Sequence, residues 1–393
     1  MRTEQKRPKS DEVVARAREL VPAIRGRAEE AERLRKVPEE SVAEIDAAGI
    51  GLVQRPLRWG GSELGFETAF DVAVEIGRGC ASTGWYTSFL NHHDWLLAEF
   101  SEAAQAAVWG ENPGARVATA FAPAGSVEPV DGGWRIVGDW PWSSGVDYAD
   151  WVMVSALHMP ADGPPTPLLF LVPSEEYRVE DTWFNVGLRG SGSNNVVIDE
   201  PLFVPAELTL EVAHLREGDG PGAETNGGAP YRTPMMAAFG LGLLAPALGA
   251  ARGAFEEWCD WTKVRTATYT AEQIAQQSSA QVGAGLASAR IDSAELLLRD
   301  NMSRLADPEA ITVEDRARNR RNCSFAAQLL NAAMEDLVQI SGARGLFDSN
   351  SIQRAWRDVR AISCHTGLNP NMVYEAQGRM LLGQPRNMLD VLY

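Results

Sequence analysis

The sequence predicts an α+β protein, mainly α, in which helices come first, a compact antiparallel β unit follows, and helices return. Three observations carry that prediction. Apolar residues recur at helical spacing before residue 115 and after residue 231, whereas 116–210 consists of short β-branched and aromatic runs punctuated by Gly, Asp and Pro. Strand and helix signals do not alternate, which argues against a doubly wound nucleotide-binding sheet. With 393 residues, 45% of them hydrophobic, the chain can bury a large core unaided.

Residues 1–115 are expected to form a helical domain. Between 17 and 38, Leu20, Ile24 and Ala28 recur among many charges, the pattern of a half-exposed amphipathic helix. The stretch 66–100 is far more apolar and aromatic and should face the core or line a pocket. Residues 116–210 form the β-domain, in which RVATAF, GWRIVGDW, DWVMVSA, LLFLV and NNVVI read as strands. Asp131-Gly132-Gly133 supplies a hairpin turn, because glycine accepts positive φ. Residues 211–230 hold five glycines and, beyond Val212 and Leu215, no large apolar residue, so a mobile loop or lid is expected. From 231 to 393 helical patterns resume. Segment 234–251 is uncharged and approaches the length of a membrane span, but its small residues and Pro246 suit a helix buried in a bundle. Further on, Thr312 caps toward Asp315, and Phe325, Leu329, Ala333, Leu337 and Ile340 form a face that stops at Gly342.

Composition narrows the function. A net charge of −17 opposes binding to nucleic acid or to anionic membranes. The four cysteines form no CxxC pair and no histidine is spaced for zinc, so neither disulfides nor a metal are expected. The amino terminus has basic residues with no apolar stretch behind them, so the expected location is cytoplasmic.

Individual motifs leave several readings open. Gly240-Leu-Gly242-Leu-Leu-Ala245 imitates a dinucleotide fingerprint but follows no strand, and close helix packing explains it better. Trp140-Pro-Trp142-Ser143-Ser144-Gly145 is either a strand end with a serine turn or a platform that stacks on a flat ring and donates to its heteroatoms. His92 and His93 sit in an apolar helix, where an imidazole is costly without a partner, so one of them is functional or hydrogen-bonded in the core. His158 and His214 read as loop residues. GxSxG is absent, and the HxxE of His214 and Glu217 lacks a third metal ligand.

Several stretches in a fixed order are more specific than any of these alone. They are Val37-Pro38, Trp59-Gly60-Gly61, Cys80-Ala-Ser-Thr-Gly84-Trp85, Val108-Trp109-Gly110, Trp142-Ser-Ser-Gly145, the run from Val186 through Arg189 to Ser193, and Ile352-Gln-Arg-Ala-Trp356-Arg-Asp358 with His365 downstream. Over nearly the whole chain this order resembles the flavin-dependent monooxygenases that share the acyl-CoA dehydrogenase fold. The resemblance implies an N-terminal helical domain, a central antiparallel β-domain and a C-terminal four-helix bundle that also builds a homotetramer.

It further implies the oxygenase component of a two-component system. Such an enzyme uses reduced flavin and O₂, through a flavin C4a-hydroperoxide, to hydroxylate a small aromatic substrate, phenolic or polycyclic. FMN is the first choice of cofactor and FAD the second. With no nicotinamide fingerprint in the chain, a separate NAD(P)H-dependent flavin reductase is the implied partner. Carried over residue by residue, the pattern puts Trp85, Thr119, Ala120, Trp142, Ser143, Ser144 and Arg265 at the flavin, with Ala343 and Arg344 near its phosphate. Ser144 resembles the hydroxyl beside flavin N5, and His93 and His365 resemble the pair around the reacting oxygen. A histidine titrating near neutrality there could move the substrate proton. The alternatives are an acyl-CoA dehydrogenase or oxidase with FAD, and an N- or S-oxygenase of the same fold. The dehydrogenase pattern has a glutamate where this chain reads Cys364-His365-Thr366-Gly367, leaving Glu375 as a displaced base.

Overall fold

A computed structural model describes residues 7–267 and 271–385. Six helices open the chain: α1 (Ser10–Gly26), α2 (Ala28–Leu34), α3 (Glu39–Ala48), α4 (Phe66–Gly79), α5 (Ala81–Leu97) and α6 (Glu102–Trp109). In α1 the buried face is Val13, Ala17, Val21 and Ile24, and the helix breaks at Arg27 before Ala28 begins the next. Leu20, expected on that face, is only partly buried.

Eight strands follow in two four-stranded sheets. They are β1 (Val117–Ala120), β2 (Ser126–Val130), β3 (Gly133–Ser143), β4 (Trp151–His158), β5 (Thr166–Pro173), β6 (Arg178–Glu180), β7 (Asn194–Pro205) and β8 (Thr209–Glu211). One sheet has the order β1-β4-β5-β8 and the other β2-β3-β7-β6. The expected hairpin joins β2 to β3, with Gly132 at φ +76°. One pairing departs from the antiparallel expectation: β1 runs parallel to β4, with Val117 opposite Trp151. The chain crosses to the other sheet between them, so a tight hairpin is not required. In the first sheet, Ala118, Ala120, Val152, Val154, Leu168 and Phe170 face the second sheet, while Val117, Met153, Leu169 and Leu171 join the helical core. Burial on both faces explains why DWVMVSA and LLFLV are continuously apolar.

Segment 211–230 contains two short helices, α7 (Val212–Glu217) and α8 (Pro221–Asn226), and buries Leu215 and Ala223. His214 therefore lies in a helix, with Nδ1 2.9 Å from Asp219, and His158 ends β4 with its ring 5.0 Å from that of Trp134.

The remaining helices are α9 (Met235–Lys263), α10 (Ser278–Ser303), α11 (Val313–Ser341), α12 (Ser351–Ser363) and α13 (Pro370–Leu381). Helix α9 is apolar enough to cross a membrane, but 83% of its most apolar window is buried by other helices. The Thr312–Asp315 capping box opens α11 as expected. Its core face is shifted one residue from the predicted one: Ala326, Leu330, Ala333, Leu337 and Ser341 are buried, while Phe325 is exposed. The predicted and observed faces share Ala333 and Leu337, and a rotation of about 100° per residue separates their rims.

Candidate active site

Helix α5 presents Trp85, Phe89 and His93 at successive i, i+4 positions, on the side facing β1 and the end of β3. The rings form a connected wall. Trp85 and Phe89 lie 4.7 Å apart between centroids, Phe89 and His93 5.3 Å, Trp85 and His365 6.2 Å, and His365 and Phe239 of α9 5.7 Å. Helix α5, the start of α9 and the segment after α12 thus converge.

Two histidines in this wall are held in opposite tautomers. His93 Nδ1 lies 2.8 Å from the Val117 carbonyl of the edge strand β1. A carbonyl only accepts, so Nδ1 carries the proton and Nε2 is left as an acceptor. His365 Nδ1 instead accepts the Gly367 amide at 3.0 Å, which places its proton on Nε2. Burial lowers both from the ordinary histidine value, to about 3 for His93 and about 4 for His365, so both are neutral near pH 7. Titration near neutrality, expected from sequence, does not hold.

His92 points elsewhere. Its Nδ1 donates to the Ser88 carbonyl at 3.0 Å, and its ring packs on α9, where a Cβ on Gly242 would sit 2.4 Å from His92 Cε1. Glycine is required there by proximity, which accounts for part of the false dinucleotide fingerprint; Gly240 is pressed against Cys323 in the same way.

The end of β3 supplies hydroxyls. The ladder slips between Trp140 and Ser143, and Trp142 takes a left-handed φ of +67°, a strained conformation for a bulky residue. Trp142 is 63% exposed, the one exposed tryptophan of the twelve, all of which lie in the described residues. Next to it, Ser144 Oγ accepts the Trp85 indole N–H at 2.9 Å and lies 2.8 Å from Ser193 Oγ. Ser143 Oγ and Thr119 Oγ1 are buried with no partner. Thr119 shares the outward face of β1 with Val117, whereas the Ala120 side chain points into the β-sandwich.

Comparison with known proteins decides the family. The N-terminal domain of acyl-CoA dehydrogenases matches residues 7–111 and their C-terminal domain residues 241–370. The oxygenase subunit of the flavin-dependent monooxygenase HsaA from Mycobacterium tuberculosis is 35% identical over 379 residues, covering 95% of this chain and 96% of that protein. Its crystal structure superposes with a TM-score of 0.91, over 98% of this chain and 100% of that one. The chain belongs to the oxygenase components of two-component flavin-dependent monooxygenases. Another relative is the oxygenase component of the FADH(2)-dependent resorcinol hydroxylase from a Rhizobium species, 33% identical over 94% of both chains. XiaF from a Streptomyces species, in complex with FADH2, matches at 29% identity and a TM-score of 0.86 over 96% of both chains.

The oxygenase has a flavin as its cofactor and depends on a separate reductase to reduce it. Its residues fit that group: two buried hydroxyls without partners, at Thr119 and Ser143, lie beside an exposed strained indole and a wall of rings. The polar edge of an isoalloxazine would satisfy the former and its plane would cover the latter. Of the residues expected at the flavin, Trp85, Trp142, Ser143, Ser144, Thr119 and His365 lie on these neighbouring elements. Arg265, Ala343 and Arg344 do not. Arg265 follows the far end of α9, about 36 Å along the helix from Phe239 at about 1.5 Å per residue. There it stacks on Trp261 at 3.7 Å, and the neighbouring Arg344 lowers its pKa after burial does. Glu375, the displaced base of the dehydrogenase alternative, is exposed on α13 and paired with Arg379 at 3.0 Å.

Sequence reasoning missed four contributors: Phe89, Phe239, Ser191 and the buried Arg55. Arg55 Nε donates to Asp94 at 2.7 Å and its Nη2 to the Ala115 carbonyl at 2.8 Å, tying α5 next to His93 to the entry of β1. Removing one partner of such a pair costs about 3–5 kcal/mol. No local pattern announced it, since 39 residues separate the two charges.

Proposed function

We propose that this oxygenase hydroxylates a small aromatic substrate, phenolic or polycyclic, with the substrate ring between His93 and His365. The observation that carries this reading is the opposed tautomers. His93 offers an acceptor and His365 a donor from the same aromatic wall. Bound reduced flavin supplies the activated oxygen when it meets O₂. The chain's own residues then have three tasks. Trp85, Trp142 and Phe89 exclude water from the ring face, and Ser144 holds the flavin edge in place. His93 Nε2 accepts the phenol O–H bond, making the ring more electron-rich as charge develops. His365 Nε2–H donates to the oxygen atom that departs. Full transfer to His93 in the resting state is unfavourable, because burial holds its conjugate acid at about 3.

The cofactor is proposed to be FADH2 or FMNH2, with FADH2 favoured by its place in the names of the two relatives above. A homotetramer is proposed, in which Arg265, Ala343 and Arg344 reach the phosphate of a neighbouring copy's flavin. Their distance from the ring wall supports supply across an interface. A cytoplasmic location is consistent with the free state of all four cysteines.

The test is stopped-flow absorbance after mixing anaerobic protein and reduced flavin with oxygenated buffer. Wild type should delay flavin reoxidation relative to free flavin and consume a phenol stoichiometrically. His365→Ala and Ser144→Ala should raise peroxide release at the expense of product. Unchanged coupling in both would overturn the assigned roles.

A further inference from the structure

Ser144 does not end its hydrogen-bond chain. Its Oγ lies 2.8 Å from Ser193 Oγ, and Ser193 Oγ lies 2.8 Å from Ser191 Oγ. Both outer serines are buried. The turn that carries them is anchored on two sides: buried Asp358 of α12 accepts the Leu188 amide at 2.7 Å, and the Gly145 amide donates to the Ser191 carbonyl at 3.1 Å. Leu188 and Gly192 take positive φ of +52° and +58°, which turns both serine side chains toward Ser144.

Counting protons restricts what this row can do. The Trp85 indole N–H is a donor only and occupies one Ser144 lone pair. Each hydroxyl has one proton, so the row can run as one continuous donor chain in either of two directions. Ordered outward, Ser144 donates to Ser193 and Ser193 to Ser191, and Ser144 keeps a lone pair free for a donor in the cleft. Ordered inward, Ser193 donates to Ser144, whose own proton is free for an acceptor in the cleft. The N5 position of a flavin is an N–H donor when reduced by two electrons and a bare acceptor when oxidised.

We propose that Ser193, backed by Ser191, is a positioning residue whose hydroxyl lets Ser144 present an acceptor to reduced flavin and a donor to oxidised flavin, by reversing the row without moving a heavy atom. This rests on the reading that Ser144 faces the flavin. Ser193→Ala removes the only serine that receives the Ser144 proton in the outward order. The Ser144 proton then stays directed into the cleft, which suits oxidised flavin and opposes the reduced N–H.

The experiment is equilibrium titration of the full-length protein with FAD, oxidised and, anaerobically, dithionite-reduced, followed by the visible spectrum and protein fluorescence. In Ser193→Ala the ratio of reduced to oxidised Kd should rise about tenfold, the scale of one hydrogen bond. That corresponds to a bound-flavin potential about 30 mV lower. Ser191→Ala should move the ratio in the same direction by less and carries the test if Ser193→Ala does not fold, an unchanged ratio then overturning the proposal. Ser193→Thr, which keeps the hydroxyl, should hold the wild-type ratio. An unchanged ratio in Ser193→Ala, or equal weakening of both Kd values, overturns the proposal. If Ser144→Ala shifts the ratio and Ser193→Ala does not, the relay fails and the Ser144 reading survives. If neither shifts it, both fail.

Discussion

The two histidines behave unlike free imidazole because each is desolvated and each has one nitrogen committed to the backbone. Their folded pKa values lie below the ordinary value, so the neutral, competent forms persist from alkaline pH down to about 4. Single-turnover hydroxylation of a phenol with reduced flavin should therefore show no acid limb centred near the ordinary value of 6.5; losses should begin only as the pH approaches about 4. A limb at the ordinary histidine value would show that His93 or His365 is more solvated than its surroundings indicate. Local chemistry marked the adjacent histidines in an apolar helix and the two serines beside an indole as unusual without assigning them a role; their expected places at the flavin came only from the resemblance to the family. The roles of Ser191 and Arg55 were not legible, because Arg55 depends on a partner 39 residues away and Ser191 on a turn geometry that composition does not encode.

Among the elements, the segment with α7 and α8 is fastened to the junction of α5 and α6. Glu99 accepts the Gly220 amide at 3.2 Å, its backbone carbonyl accepts the Gly222 amide at 3.0 Å, and Asn226 donates to the Ala98 carbonyl at 2.8 Å. Burial raises the Glu99 carboxyl from 4.5 to about 8, the Gly220 bond opposing and Asp219 adding to the rise. The folded chain thus keeps a proton that the unfolded chain releases above 4.5. Stability from this group is complete below 4.5 and is lost as pH rises through about 8. Between those limits the loss is roughly 1.4 kcal/mol for each step of one in pH. Urea midpoints measured at about pH 5.5 and about pH 8.5, on either side of most of that loss, should fall less in Glu99→Gln than in wild type. An equal fall in both would dissociate Glu99 from the alkaline loss. The element order and the hairpin at Gly132 were readable from periodicity and turn chemistry. The parallel β1–β4 pair and the rotated face of α11 were not, since both are set by what packs on the second side of an element.

At the scale of the molecule, α9 carries Phe239 of the ring wall at one end and leads to Arg265 at the other, about 36 Å away. One chain cannot bring both to the same small cofactor. Coexpression of Ser144→Ala with Arg344→Glu should recover part of the hydroxylation that each variant lacks alone, because in the proposed tetramer mixed assemblies would contain sites built from two intact halves. No recovery, with mixed assemblies verified by differential tagging, would place the arginines outside the flavin site. The expected three-part fold was legible because every part has its own periodicity, whereas a division of labour between copies, as proposed, would have no signature in a single sequence.

The length of α9 also bears on how the cell spends its reductant. A lone subunit with the ring wall but without the distant cations would hold reduced flavin poorly. Newly made, unassembled chains would then neither compete for the reductase's product nor discharge it into peroxide, and oxygen chemistry would start only once assembly had closed the site.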